Sequence, residues 1–236
     1  MKKKLLIIIS LVSLLGFLAC HKGENDLAPL SSLTVVNANS GIGNMQVKYW
    51  NGPVLWHNYN NSNVAYGGNT LFTLPPGNQS MMVVSSTDTL HPVFDGNITT
   101  LANGVYTLFL SGQSTTTDTL LIKESYPFHA ILDSSCGVRF INLSPNSHPL
   151  NIRLTGSADP AFGPLIYRQL TGFKNYPAKK VNSSYSFDIR DAVTDTLVTS
   201  YALSTPYFNN VTLALEGLEG QHSGTNALKV IRINNY

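Results

Sequence analysis

Six histidines are the natural starting point for acid–base or metal chemistry: His21, His57, His91, His129, His148 and His222. No two are closer than 19 residues, and no cysteine or carboxylate cluster stands with any of them at ligand spacing. The chain has no Gly-x-Ser-x-Gly elbow, no His-Glu-x-x-His and no Gly-x-x-x-x-Gly-Lys loop. Asp88 and Asp95 are near enough in sequence to pair as a glycosidase acid and base. Their neighbours instead make them turn and strand-end carboxylates. The expectation is a non-enzyme with no catalytic residue, metal or cofactor.

Two other patterns stand out. Residues 49–66 hold Tyr49, Trp50, Trp56, Tyr59 and Tyr66, interleaved with five asparagines, and include both tryptophans of the protein. Flat rings stack on sugar or peptide faces, and asparagine amides donate and accept at once. Trp50, Trp56, Tyr59 and Tyr66 are therefore candidate ligand-binding residues. The same composition would also serve core rings and turns. The second pattern is Asp-Thr-Leu, which occurs at Asp88, Asp118 and Asp195. It resembles an acceptor for periplasmic O-glycosylation, with Thr89, Thr119 and Thr196 as candidate sites. The same tripeptide also suits the entry to a strand, with Asp ending a turn.

Cys20 carries different chemistry. Lys2-Lys3-Lys4 precedes an apolar run from Leu5 to Leu18, and Phe17-Leu18-Ala19-Cys20 follows directly. Fourteen residues of helix reach roughly 21 Å, short of a ~30 Å hydrocarbon core. This is a signal peptide over 1–19, and its end resembles a bacterial lipobox. The cysteine would be acylated and hold the protein to a membrane by several chains. Residues 20–32 would be a flexible lipidated tether. Lys22, Glu24 and Asp26 within it resemble the acidic tether of surface-exported lipoproteins. The expected location is the outer membrane, on its periplasmic or extracellular face, with the cell surface favoured. From residue 20 onward, 12 basic and 13 acidic residues remain, which argues against a nucleic-acid partner. Cys136 is left without a disulfide partner and reads as a small buried hydrophobe.

The elements that must position these residues are strands. No window shows a helical period after the signal. Met45-Gln46-Val47-Lys48-Tyr49 and Tyr185-Ser186-Phe187-Asp188-Ile189-Arg190 alternate apolar and polar, between turn signals such as Asn51-Gly52-Pro53 and Asn103-Gly104. The chain is also an internal repeat. Shifted by 105 residues, Thr34-Val35-Val36-Asn37 falls on Arg139-Phe140-Ile141-Asn142, and Met45–Tyr49 falls on Leu150–Leu154. Thr107-Leu108 likewise falls on Thr212-Leu213. The expected fold is all-β: two tandem antiparallel sandwiches, immunoglobulin-like or transthyretin-like, over 33–125 and 138–236, with about seven strands each.

Val138-Arg139-Phe140-Ile141-Asn142-Leu143-Ser144-Pro145, then Leu150–Leu154, then Tyr176-Pro177-Ala178, resemble an uncharacterised family of bacterial lipoproteins, domain of unknown function 4397. Lys179-Lys180 replace the glycine of its turn, and the first copy is more divergent. The resemblance implies an exported β-sandwich and no reaction. The functional expectation is a non-catalytic surface lipoprotein that binds a glycan or a surface protein through sandwich loops. The alternative is a structural subunit of a surface assembly.

Overall fold

A computed structural model describes residues 29–49, 62–113, 116–130, 134–179, 184–205, 208–221 and 223–235. Among them there are sixteen strands and no α-helix. Eight belong to the first repeat: β1 (Ser31–Asn39), β2 (Asn44–Lys48), β3 (Asn63–Ala65), β4 (Asn69–Leu74), β5 (Gly77–Ser85), β6 (Asp88–Thr100), β7 (Val105–Gln113) and β8 (Thr116–Lys123). Eight belong to the second: β9 (Ser135–Asn142), β10 (Leu150–Leu154), β11 (Phe162–Leu165), β12 (Lys174–Pro177), β13 (Ser184–Asp191), β14 (Leu197–Ser204), β15 (Asn210–Glu216) and β16 (Lys229–Asn235).

The first repeat forms sheets ordered β4-β1-β7-β8 and β3-β2-β5-β6. The second forms β12-β9-β15-β16 and β11-β10-β13-β14. Each order becomes the other when every strand number is raised by eight, so the two units share one topology. The registers agree as well. Val36 pairs with Phe109 and Ile141 pairs with Ala214, both at the 105-residue offset. Each unit has eight strands rather than the seven expected, because short β3 and β11 carry too few residues to show alternation. The sandwiches are also not wholly antiparallel, since β1 runs parallel to β7 and β9 to β15.

Each sandwich closes on its own core. In the first, Leu33, Val35, Leu108 and Leu110 of one sheet meet Met45, Val47, Met81 and Val83 of the other. In the second, Val138, Phe140, Val211 and Leu213 meet Ile152, Phe187, Ile189 and Leu203. Period-2 alternation explains one face of each sheet. It does not explain the central strands, which are buried on both faces. Val36, Ala38 and Phe109 point away from the first core and pack on Ile141, Leu143, Ala214 and Ile233 of the second unit. The two sandwiches are therefore joined sheet to sheet by a third apolar cluster, in a four-layer stack. Ser111 Oγ lies 2.9 Å from the Tyr167 hydroxyl, which donates to Asp118 Oδ2 at 2.9 Å. The Arg168 guanidinium donates to the Thr119 carbonyl across the same seam.

The repeat extends to its buried polar residues. Asn37 Nδ2 donates to the Val64 carbonyl at 3.1 Å, and its Oδ1 accepts from the Asn39 amide. Asn142 Nδ2 donates to the Leu165 carbonyl at 3.3 Å, and its Oδ1 accepts from the Ser144 amide. Each asparagine satisfies backbone groups where its strand leaves the sheet.

Candidate functional site

The described cleft with the richest chemistry lies where the first repeat hands over to the second. Three segments build it. Lys123 ends β8, and the Glu124 amide donates to the Val105 carbonyl at 2.8 Å, so the outgoing chain is still held to the first sandwich. Arg139 stands on β9 and forms the floor. Thr171, Gly172 and Phe173 form the far wall. They are fixed because the Thr171 amide donates to the Phe140 carbonyl and the Phe140 amide donates to Thr171 Oγ1, both at 2.9 Å. The hollow is shallow and open to solvent, about 500 Å³ in volume, and is lined also by Ser125, Tyr126 and Pro127.

Arg139 is almost wholly buried, so its charge must be paired. Its Nη2 donates to Glu124 Oε1 at 2.7 Å, and its Nε donates to Thr212 Oγ1 at 2.8 Å. The Glu124 side chain is fully buried. With both ends held, the guanidinium plane is fixed. Phe173 takes the cation at 4.5 Å from its ring centroid and Tyr126 at 5.9 Å. The two rings meet edge to face at 6.0 Å. The result is a pre-organised pair of aromatic rings around a neutralised cation, with Lys123 and Ser125 on the rim. Rings of this kind stack on apolar faces of a ligand and need little ordering on binding.

Two further polar clusters surround the second repeat. His129 Nδ1 lies 2.9 Å from Ser135 Oγ, and His129 Nε2 lies 3.0 Å from Asn210 Oδ1. The order resembles nucleophile, base and orienting group, but all three side chains are buried. Asn210 Nδ2 also donates to the Pro127 carbonyl, so the trio ties the linker to β9 and β15. The other cluster is His148, Asp191 and Glu219, whose ligand atoms all lie within 4.8 Å of one another. They are 43 and 28 residues apart in sequence, so spacing could not reveal them. The turns that bring them together are the only cue, and those are a property of the fold.

Cys20, Trp50, Trp56 and Tyr59 lie outside the described residues, and so does the peptide 1–19. Tyr66 is half-buried in the turn after β3. Lys229 Nζ of the second repeat sits 4.8 Å over its ring. Burial, and then the nearby Glu216 carboxylate, push its phenol pKa well up. Thr89 and Thr119 are half-buried in β6 and β8, and Thr196 is exposed just before β14. The three aspartates beside them each have a partner. Asp88 accepts from the Leu90 and His91 amides, Asp118 from Tyr167, and Asp195 pairs with Arg153 at 2.8 Å. Cys136 is fully buried in β9, and burial pushes its thiol up to about 11. The sequence pointed to residues 49–66 for binding. It missed Tyr126 and Phe173, which stand 47 residues apart and meet beside Arg139.

No protein-family model matches the chain, and no curated protein matches it. Among solved structures, the chain is similar to a multi-modular glycogen-degrading pneumococcal virulence factor at 10% identity and a TM-score of 0.26. That match takes in 87% of this chain but only 24% of the pneumococcal one. A streptococcal virulence factor that binds α-glucan is similar at 10% identity and a TM-score of 0.24, over 78% of this chain and 93% of its own. The tip fimbrial protein of Porphyromonas gingivalis is similar at 9% identity and a TM-score of 0.22, over 88% of this chain and 99% of its own. Likenesses this weak assign nothing to this chain.

Proposed function

We propose that the chain is a non-catalytic surface lipoprotein that binds a glycan at the cleft between its two sandwiches. Acylation of Cys20 holds it to the outer membrane, with the residues before β1 as the tether. The observation that carries the binding reading is the pair of rings, Tyr126 and Phe173, fixed around the buried Arg139. A sugar presents an apolar C–H face and a polar edge, and this cleft offers rings beside a serine hydroxyl and a lysine. The shared seam serves this function, because Lys123 and Glu124 come from one side of the junction and Arg139 and Phe173 from the other.

Affinity electrophoresis of residues 21–236 through gels containing soluble polysaccharides tests the reading. At least one polysaccharide retards the native chain. Tyr126→Ala and Phe173→Ala each relieve the retardation while the melting temperature stays within a few degrees. Free migration of the native chain in every gel, or equal retardation of both variants, refutes glycan binding at this cleft.

A further inference from the structure

A different corner of the second sandwich carries an independent site. We propose that His148, Asp191 and Glu219 bind one divalent transition-metal ion, of the zinc class, through His148 Nδ1, Asp191 Oδ2 and Glu219 Oε1.

The donor geometry is that of a coordination face. His148 Nδ1 lies 3.0 Å from Asp191 Oδ2 and 3.3 Å from Glu219 Oε1. Bonds of about 2.05 Å to a tetrahedral zinc ion place neighbouring ligand atoms about 3.3 Å apart. The two edges at His148 therefore already match, and Asp191 Oδ2 and Glu219 Oε1, within 4.8 Å of each other, close the triangle as the carboxylates draw in on the ion. Each ligand is held from behind. Asp191 Oδ1 accepts from the Val193 and Thr194 amides at 2.7 and 2.8 Å, leaving Oδ2 for the centre. Glu219 Oε2 accepts from the His148 amide at 2.8 Å, leaving Oε1. Asn146 clamps the Glu219 backbone from both sides, with its Oδ1 accepting from the Glu219 amide and its Nδ2 donating to the Glu219 carbonyl. Such outer contacts are what orient ligands in metal sites.

Charge points the same way. Two carboxylates converge on one imidazole, and no Lys or Arg pairs with either of them among the described residues. Among the described residues, the His148 imidazole is the one group placed between the two carboxylates. An ion of charge +2 balances them and uses one nitrogen and two oxygen donors, a set zinc accepts. The side chain of His148 is 68% exposed, so an ion enters directly from solvent.

The duplicated fold supplies an internal control. At the 105-residue offset, His148 falls on Gly43 and Glu219 on Ser114. Asp191 pairs with Leu150 just as Ser85 pairs with Met45. At Gly43 and Ser85 the first repeat builds the same strand ends with no ionisable group, so the fold does not require a donor at either place.

Calorimetric titration of metal-free residues 21–236 with Zn²⁺ decides the matter, with Co²⁺ absorption as a second readout. The native chain takes up one ion with a saturable curve, and the Co²⁺ form shows visible bands. His148→Ala changes an exposed side chain and leaves the melt unaltered, but weakens that uptake by more than about 100-fold. Asp191→Asn and Glu219→Gln do the same. Absence of saturable uptake by the native chain overturns the proposal. So does uptake that His148→Ala leaves unchanged, because the ion then sits on other histidines.

Discussion

Glu216 sits at the seam between the repeats with its side chain fully buried. Its ion-pair partner is Lys229, whose Nζ lies 3.3 Å from Oε1. Gly67 of the first repeat presses on the same oxygen so closely that a Cβ there would stand 2.6 Å from it. Burial pushes the carboxyl from 4.5 up to about 7, with Lys229 pulling the other way. The folded chain then holds a proton that the unfolded chain releases between those two pH values. Stability therefore falls as pH rises from 4.5 through about 7, and stays low above it. Moving a carboxyl over that range corresponds to about 3 kcal/mol. Glu216→Gln removes the titrating charge and keeps the shape. It changes stability little at pH 4.5 and raises it at pH 8 by up to about 3 kcal/mol. At 2–4 °C per kcal/mol for a chain of this size, the melting point rises by about 6–12 °C at pH 8. Urea melts of both proteins from pH 4.5 to pH 8.5 measure the difference directly. Parallel pH profiles for the two proteins would refute the reasoning, because Glu216 would then not be the group that titrates.

Other residues give sharper single-point tests. Arg139→Ala strands the fully buried Glu124 carboxylate and costs about 3–5 kcal/mol by urea unfolding, whereas Arg139→Ala with Glu124→Gln recovers much of that loss. Phe109→Ala empties the middle of the inter-repeat cluster and costs about 3–5 kcal/mol, read by the same unfolding assay. Cys136, with its thiol near 11, stays unmodified by a thiol-specific disulfide reagent at pH 8 in the native protein and reacts at once in denaturant.

The strands and their duplication could be read from the chain because alternation and turn residues act locally. Met45, Val47 and Tyr49 face inward at one pitch, and the 105-residue offset carried that pitch onto Leu150, Ile152 and Leu154. The seam was present in the sequence in a weaker form. Val35-Val36 and Leu108-Phe109-Leu110 are unbroken apolar runs, which signal a strand buried on both faces but not what covers the second face. Only the fold shows that one repeat covers the other. The cleft was harder still. Tyr126 follows β8 and Phe173 precedes β12, so each looks like an isolated loop aromatic until Arg139 is placed between them. His148, Asp191 and Glu219 show the same limit, since three turns must meet before three donors do.

The central claim is that a glycan lies against Tyr126, Arg139 and Phe173. Amide chemical-shift mapping of the labelled chain with a polysaccharide fragment retained in the electrophoretic screen tests it most directly. The account predicts that the largest shifts fall on residues 123–127 and 171–173, with the seam strands following weakly. Shifts confined to another surface of either sandwich, with those two segments unmoved, would contradict it.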